Sequence, residues 1–205
     1  MAEDKSPPPV VPTPDDGHRL TGELDWQEHR RPQPDQLLTD AELTDEQLAA
    51  PRHLIDVHNG LRQELRQLRD IAARVLTEDL EIAAARSAIN QLTMRQNNWT
   101  LGAYCASYCR IVAGHHGLED AGIFPHLRRS DPSLDPVIDR LTEEHEVISE
   151  VLESVDRGLV ALVDGRHGSR DQLQHAVDLL TDSLLSHLAW EERILLRPLA
   201  QYSFY

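Results

Sequence analysis

The fold of this chain is most constrained by four long segments in which apolar residues recur at alternating intervals of four and three. This spacing places the apolar residues of each segment on one helical face. The predicted helices span about 52–76, 99–129, 134–163 and 169–196. The last three are joined by short turns. These features predict an all-α fold, an antiparallel up-and-down four-helix bundle.

Each predicted apolar stripe is interrupted by histidine or glutamate at positions that should face the core. In chain order these are His58, His115, Glu119, His145, His187 and Glu191. Counting residues from the connecting turns puts them at one depth, because the rise per residue is the same in every helix. Such buried groups cost several kcal/mol each unless they satisfy one another or bind a cation. The sequence therefore predicts a metal site inside the bundle.

The number of donors in this layer indicates more than one ion. Together with the adjacent His116, the layer offers five histidines and two glutamates. That is too many for one tetrahedral zinc. Two octahedral-type ions, with a bridging carboxylate and a bridging oxygen, suit the donor set better.

The four motifs in combination resemble those of the hemerythrin-like (HHE cation-binding) family, over about 52–198. They are DVHNGLR at 56–62, HHGLEDAGIFP at 115–125, EEH at 143–145 and HLAWEE at 187–192. The resemblance implies a four-helix bundle with two non-haem iron ions, for which zinc or manganese could substitute. By this resemblance the terminal imidazole ligands are His58, His115, His145 and His187, and the bridging carboxylates are Glu119 and Glu191.

The chain departs from the family pattern on the third helix. Oxygen-carrying members have two histidines one turn apart there, whereas Leu141 and Ser149 stand one turn either side of His145. His116 is the candidate for the missing ligand, with a role as an outer partner left open. Glu192 is the alternative to Glu191 as the last acidic ligand.

Composition excludes several classes of partner. The net charge of −15, the absence of a basic run and the 4% aromatic content argue against nucleic acid and anionic membranes. No apolar run approaches the roughly 20 residues that a bilayer crossing needs. We expect no signal peptide and a cytoplasmic location. Cys105 and Cys109 are predicted to be small buried hydrophobes rather than redox groups.

Residues 1–50 differ from the remainder, because eight of the twelve prolines lie at or before Pro51. We predict a mostly disordered acidic tail over 1–50 and the bundle over 51–200. Capping boxes at 39–42 and 44–47 predict one short helix in the tail, and a helical piece is predicted at 78–92. Pro125 should kink the second helix, and Pro198 should end the fourth.

Three functions are compatible with the predicted bundle and its metal site. The first is binding of O2 or a related small species (nitric oxide, peroxide) for sensing, storage or defence, in a sealed apolar interior that admits only small molecules. The second is a di-iron enzyme that breaks down peroxide or catalyses another oxidation. The third is a structural or zinc-binding bundle whose tail docks a protein partner, which the sequence does not identify.

Overall fold

The computed structural model describes residues 10–22, 27–33, 43–76 and 101–202, and these residues form four long helical segments, called rods here. The first rod is α1, and the second comprises α2, a π-helical turn and α3. The third and fourth rods are α4 and α5. Their bounds are Ala49–Leu76 (α1), Leu101–Leu118 (α2), Glu119–Ile123 (π turn), Phe124–Ser130 (α3), Asp135–Val163 (α4) and Ser169–Tyr202 (α5). The described residues include no strand, which confirms the all-α prediction.

One of the two predicted capping boxes, at 44–47, forms a turn that leads directly into α1. The Thr44 N–H donates to the Gln47 side-chain carbonyl at 3.0 Å, and the Gln47 N–H donates to the Thr44 hydroxyl at 3.3 Å. These reciprocal bonds satisfy backbone donors that have no partner inside the helix. The box at 39–42 and the helical piece at 78–92 lie outside the described residues.

The second rod changes its winding beside Pro125. The Phe124 N–H bonds to the Glu119 carbonyl five residues back, which closes a π turn. Pro125 follows in the first turn of α3, where its missing N–H is tolerated. The predicted interruption thus takes the form of a π turn, a feature often found at functional sites.

The fourth rod runs past Pro198, so the prediction that this residue ends the helix is wrong. Pro198 is buried inside α5, which continues to Tyr202. The Tyr202 carbonyl lies 3.0 Å from His126 Nε2, and the Tyr202 hydroxyl donates to Asp131 at 3.0 Å. These tertiary contacts hold the last turn in place despite the local penalty of proline.

Two apolar clusters fill the interior at different depths of the bundle. One includes Leu61 of α1 and Leu184 of α5. The other includes Leu54 and Ile194 of the same two helices. The candidate polar layer therefore lies between two apolar clusters. Within the described residues, no helix combines the length and hydropathy needed to cross a membrane.

The N-terminal segment, defined here as residues 10–22 and 27–33, lies against the bundle. Val10 is 4% exposed and joins the second apolar cluster. The Leu20 N–H donates to Asp182 at 2.8 Å, and Trp190 Nε1 donates to the Pro32 carbonyl at 3.3 Å. The expectation of a mostly disordered tail is wrong for these residues, because acceptors and donors on α5 pair with them.

Candidate metal centre

All seven predicted site residues meet in two adjacent groups inside the bundle. Within each group, every residue offers one donor atom, and these atoms lie within 4.8 Å of one another. All four rods contribute, which confirms the predicted common depth of these side chains. The histidine group is His116, His145 and His187, and the mixed group is His58, His115, Glu119 and Glu191.

The two carboxylates lie between the two groups. Glu119 Oε1 is 3.3 Å from His115 Nε2, and Glu119 Oε2 is 3.7 Å from His145 Nε2. Glu191 Oε2 is 3.4 Å from His58 Nε2 and 3.5 Å from His187 Nε2. Each carboxylate therefore contacts one imidazole from each group. This arrangement suits ligands shared by two cations.

In three of the imidazoles, Nδ1 faces away from the centre and is hydrogen-bonded to a carboxylate. Because an ionised carboxylate only accepts hydrogen bonds, it keeps the proton on Nδ1 and leaves the Nε2 lone pair directed inward. The outer carboxylates fix both the tautomer and the ring orientation. The pairs are His58 with Glu192 at 3.0 Å, His145 with Asp120 at 3.0 Å, and His187 with Glu144 at 3.1 Å.

Glu191 and Glu192, the two candidates for the last acidic ligand, occupy different positions in the structure. Glu192 faces the outer nitrogen of His58, accepts from Arg62 at 2.7 Å and accepts from the Thr13 N–H at 2.6 Å. Burial alone would raise the pKa of Glu192, but the hydrogen bond with His58 and the charge of Arg62 hold it below its usual value. Glu191, by contrast, belongs to the inner group.

The inner groups present donor atoms that the described residues leave without hydrogen bonds. These atoms are both oxygens of Glu119 and of Glu191, and Nε2 of His116 and His145. Both glutamate side chains are at most 1% exposed. Buried polar atoms almost always have a partner, so these atoms fit a bound cation. The donor set of imidazoles and carboxylates suits iron, zinc or manganese.

Electrostatics favour the metal-binding form of the imidazoles but oppose that of Glu119. Burial lowers the pKa of His115 to about 3 and that of His145 to about 2, and it lowers the pKa of His116 as well. These imidazoles are therefore neutral at pH 7. Burial, together with the charge of Glu191, raises the pKa of Glu119 well above its usual value. A cation between the carboxylates would relieve that conflict.

One side of the centre opens onto a large cavity between α1 and α2. Its volume is about 760 Å³, and His115 and Glu119 are among its lining residues. Apolar groups form most of the remaining wall, including Leu54, Ile111, Leu118 and Ile123. The expectation of a sealed interior is therefore wrong. The α1–α2 interface leaves open space on one side of the polar layer.

Tyr108 and Cys109 lie on α2 below the site. Tyr108 is 1% exposed and donates to the Leu61 carbonyl at 3.3 Å, so it belongs to the core. Burial, with Asp156 nearby, raises the pKa of the Cys109 thiol to about 11, so it is unreactive at neutral pH. The Cys105 side chain lies outside the described part of the structure.

Sequence reasoning missed the contacts that the N-terminal segment makes with the outer carboxylates. Arg31 donates through Nε and Nη2 to the two oxygens of Glu144, at 2.8 and 2.9 Å. The Thr13 N–H reaches Glu192. Both donors come from segments without helical periodicity, so no pattern in the sequence marked them.

Comparison with known proteins gives one match. The family model of the hemerythrin HHE cation binding domain matches residues 50–199. Neither the curated proteins nor the solved structures contain a match to the chain. The matched range includes all seven inner residues and leaves the N-terminal segment outside.

Proposed function

Because the chain belongs to the hemerythrin HHE cation-binding family, we propose that it is a non-haem di-iron protein. It binds O2 or a related small species, nitric oxide or peroxide, for sensing, storage or oxidative and nitrosative defence. The observation that carries this proposal is the position of two buried carboxylates between two sets of imidazoles. That arrangement suits a pair of ions better than one.

In this proposal the ligands divide as the two groups do. His116, His145 and His187 would hold one ion, His58 and His115 would hold the other, and Glu119 and Glu191 could serve both. Iron would supply the affinity for diatomic ligands, and zinc or manganese could substitute for it. The outer carboxylates keep the inner nitrogens deprotonated and oriented.

We also propose the topology and setting of the site. Short connections at 131–134 and 164–168 support an antiparallel up-and-down arrangement of the last three rods. The low cysteine content supports a cytoplasmic location. The strongly negative charge makes nucleic acid and anionic membranes unsuitable partners.

The test combines metal analysis with ligand-binding rates. We expect two irons per chain in anaerobically purified protein. We also expect Gly114→Leu, which places a side chain in the cavity, to slow nitric oxide binding by about tenfold, equivalent to about 1.4 kcal/mol of barrier. A Cβ at Gly114 has nothing within 4 Å, so the helix can accept the change. Stopped-flow absorbance measures the rate.

Gly117→Leu is the matched control. Gly117 is also exposed on α2 with nothing within 4 Å of its Cβ, but it does not line the cavity. It should bind nitric oxide at the wild-type rate. A single zinc without iron, in protein made with both metals supplied, would contradict the di-iron proposal. Equal rates in the two variants would contradict entry through the cavity.

The size of the cavity favours a second function, a di-iron enzyme. A volume of about 760 Å³ far exceeds the needs of a diatomic molecule and falls in the range of small-molecule sites. Such an enzyme would break down peroxide or oxidise a larger, mostly apolar molecule held beside His115. Steady-state oxygen evolution from peroxide, lost in His115→Ala, would support the peroxide reaction.

A further inference from the structure

The N-terminal segment contacts the metal centre indirectly at two separate places. At one, the Arg31 guanidinium makes a paired hydrogen bond with Glu144, which in turn holds His187 at Nδ1. At the other, the Thr13 N–H bonds to Glu192, which holds His58 at Nδ1. The two contacts therefore act on imidazoles that belong to different groups of the candidate centre.

Several contacts hold the Arg31 side chain in one position. Its side chain is 6% exposed, and Nη1 also donates to the Ser186 hydroxyl at 2.9 Å. The guanidinium carbon lies 5.0 Å from the centre of the Trp190 ring. Arg31 thus bonds to both oxygens of the Glu144 carboxylate, and one of these oxygens, Oε2, also lies 3.1 Å from His187 Nδ1.

The rest of the segment is fastened to the same face of the bundle. The Leu20 and Thr21 N–H groups both donate to the Asp182 carboxylate, at 2.8 to 2.9 Å. Within the segment, Arg19 pairs with Glu28 at 2.7 Å. These contacts limit how far Thr13 and Arg31 can move from their partners on α4 and α5.

We propose that the N-terminal segment is a strap that positions two metal-ligating imidazoles from outside, with Arg31 and the Thr13 N–H as its positioning groups. This inference rests on the proposed di-metal function. The strap closes the outer end of two chains of hydrogen bonds whose inner ends are His187 Nε2 and His58 Nε2. Loss of either contact leaves the outer carboxylate less constrained, so the ring it holds is less well oriented toward the ion.

The first test removes the guanidinium. Arg31→Met keeps an unbranched apolar stem and removes the guanidinium with its bonds to Glu144. Losing the direct outer partner of a ligand costs about 10–100-fold in metal affinity. Because Arg31 acts on His187 only through Glu144, we expect the lower end of that range, with a chelator extracting Co²⁺ from the loaded full-length variant about tenfold faster than from wild type. We also expect a shift in the visible Co²⁺ spectrum. Arg31→Lys keeps the charge without the paired geometry and should recover only part of the loss.

The control removes a neighbouring contact of the strap that involves neither Glu144 nor Glu192. Arg193 is exposed and donates to the Gln33 side chain at 3.1 Å. Arg193→Met should leave both the extraction rate and the Co²⁺ spectrum at wild-type values. If Arg31→Met lowers only the unfolding temperature of the metal-free protein and leaves rate and spectrum unchanged, Arg31 is merely structural and the inference falls.

The second test acts on the backbone and does not depend on how Arg31→Met folds. Thr13→Pro removes the N–H that reaches Glu192, whereas Thr13→Ala keeps it. Faster Co²⁺ extraction in the proline variant alone is the expected result. Equal extraction from both variants would overturn this half of the inference. A wild-type protein that binds no metal would remove the proposed function and the strap with it, which distinguishes the two failures.

Discussion

Metal loading is expected to raise the unfolding temperature of the full chain by roughly 15–30 °C. A ligand present at a thousandfold excess over its Kd stabilises the native state by about 4 kcal/mol, so two ions contribute about 8 kcal/mol. For a chain of 150–250 residues, each kcal/mol shifts the midpoint by about 2–4 °C. Thermal unfolding followed by circular dichroism, with chelator-treated and reloaded protein, measures the difference.

A pair of histidine variants distinguishes this site from adventitious binding to an acidic surface. His145 is buried in the histidine group, whereas His167 is exposed in the turn between α4 and α5. His145→Ala should lose at least half of the metal-dependent rise, because one ion loses a ligand. His167→Ala should keep all of it. Equal rises in the two variants would show that the ions bind elsewhere.

The ligand layer could be predicted from sequence because it depends on periodicity. His58 and His187 interrupt regular apolar stripes, and equal rise per residue relates their depths across helices. The structure places both in the centre. His116 lies one position off its stripe, yet it also joins the histidine group, and its ring stacks on His145 with centroids 3.9 Å apart.

The features that sequence reasoning missed depend on tertiary contacts or on empty space. The strap forms because Asp182 and Glu144 offer carboxylates to a segment that has no periodic pattern of its own. Pro198 stays helical because Tyr202 is held by partners on other elements. The cavity reflects a gap between two helices, and amphipathic periodicity says which face is buried but not how closely two faces approach.

Replacing Glu119 should have opposite effects on the metal-free and metal-loaded protein. Both of its oxygens are buried without hydrogen bonds among the described residues. Glu119→Met removes these atoms and fills the space with a flexible apolar chain. Replacing buried charged clusters with well-packed apolar groups is often neutral or stabilises a fold by about 1–4 kcal/mol. We expect a gain in that range for metal-free protein, together with loss of the metal-dependent rise.

The pH dependence of this gain has a definite sign. In wild type the pKa of Glu119 is raised in the folded state, chiefly by burial. The usual pKa of a glutamate is about 4.3, so above that pH the unfolded form has released this proton while the folded form still holds it. Metal-free wild type therefore loses stability as the pH rises from about 4.3 through the raised pKa. Glu119→Met lacks this titration, so its advantage should be larger at pH 7.5 than at pH 5.

Urea unfolding of the metal-free proteins at these two pH values measures the advantage. Glu150→Met is the control, since Glu150 is an exposed glutamate on α4. It should change stability by less than about 0.5 kcal/mol at either pH. A structural polar cluster would behave in the reverse way, with Glu119→Met destabilising the metal-free protein. If the site depends on a cation, the single substitution Glu119→Met should raise the stability of the metal-free protein and also abolish its response to metal. No other kind of site predicts both results.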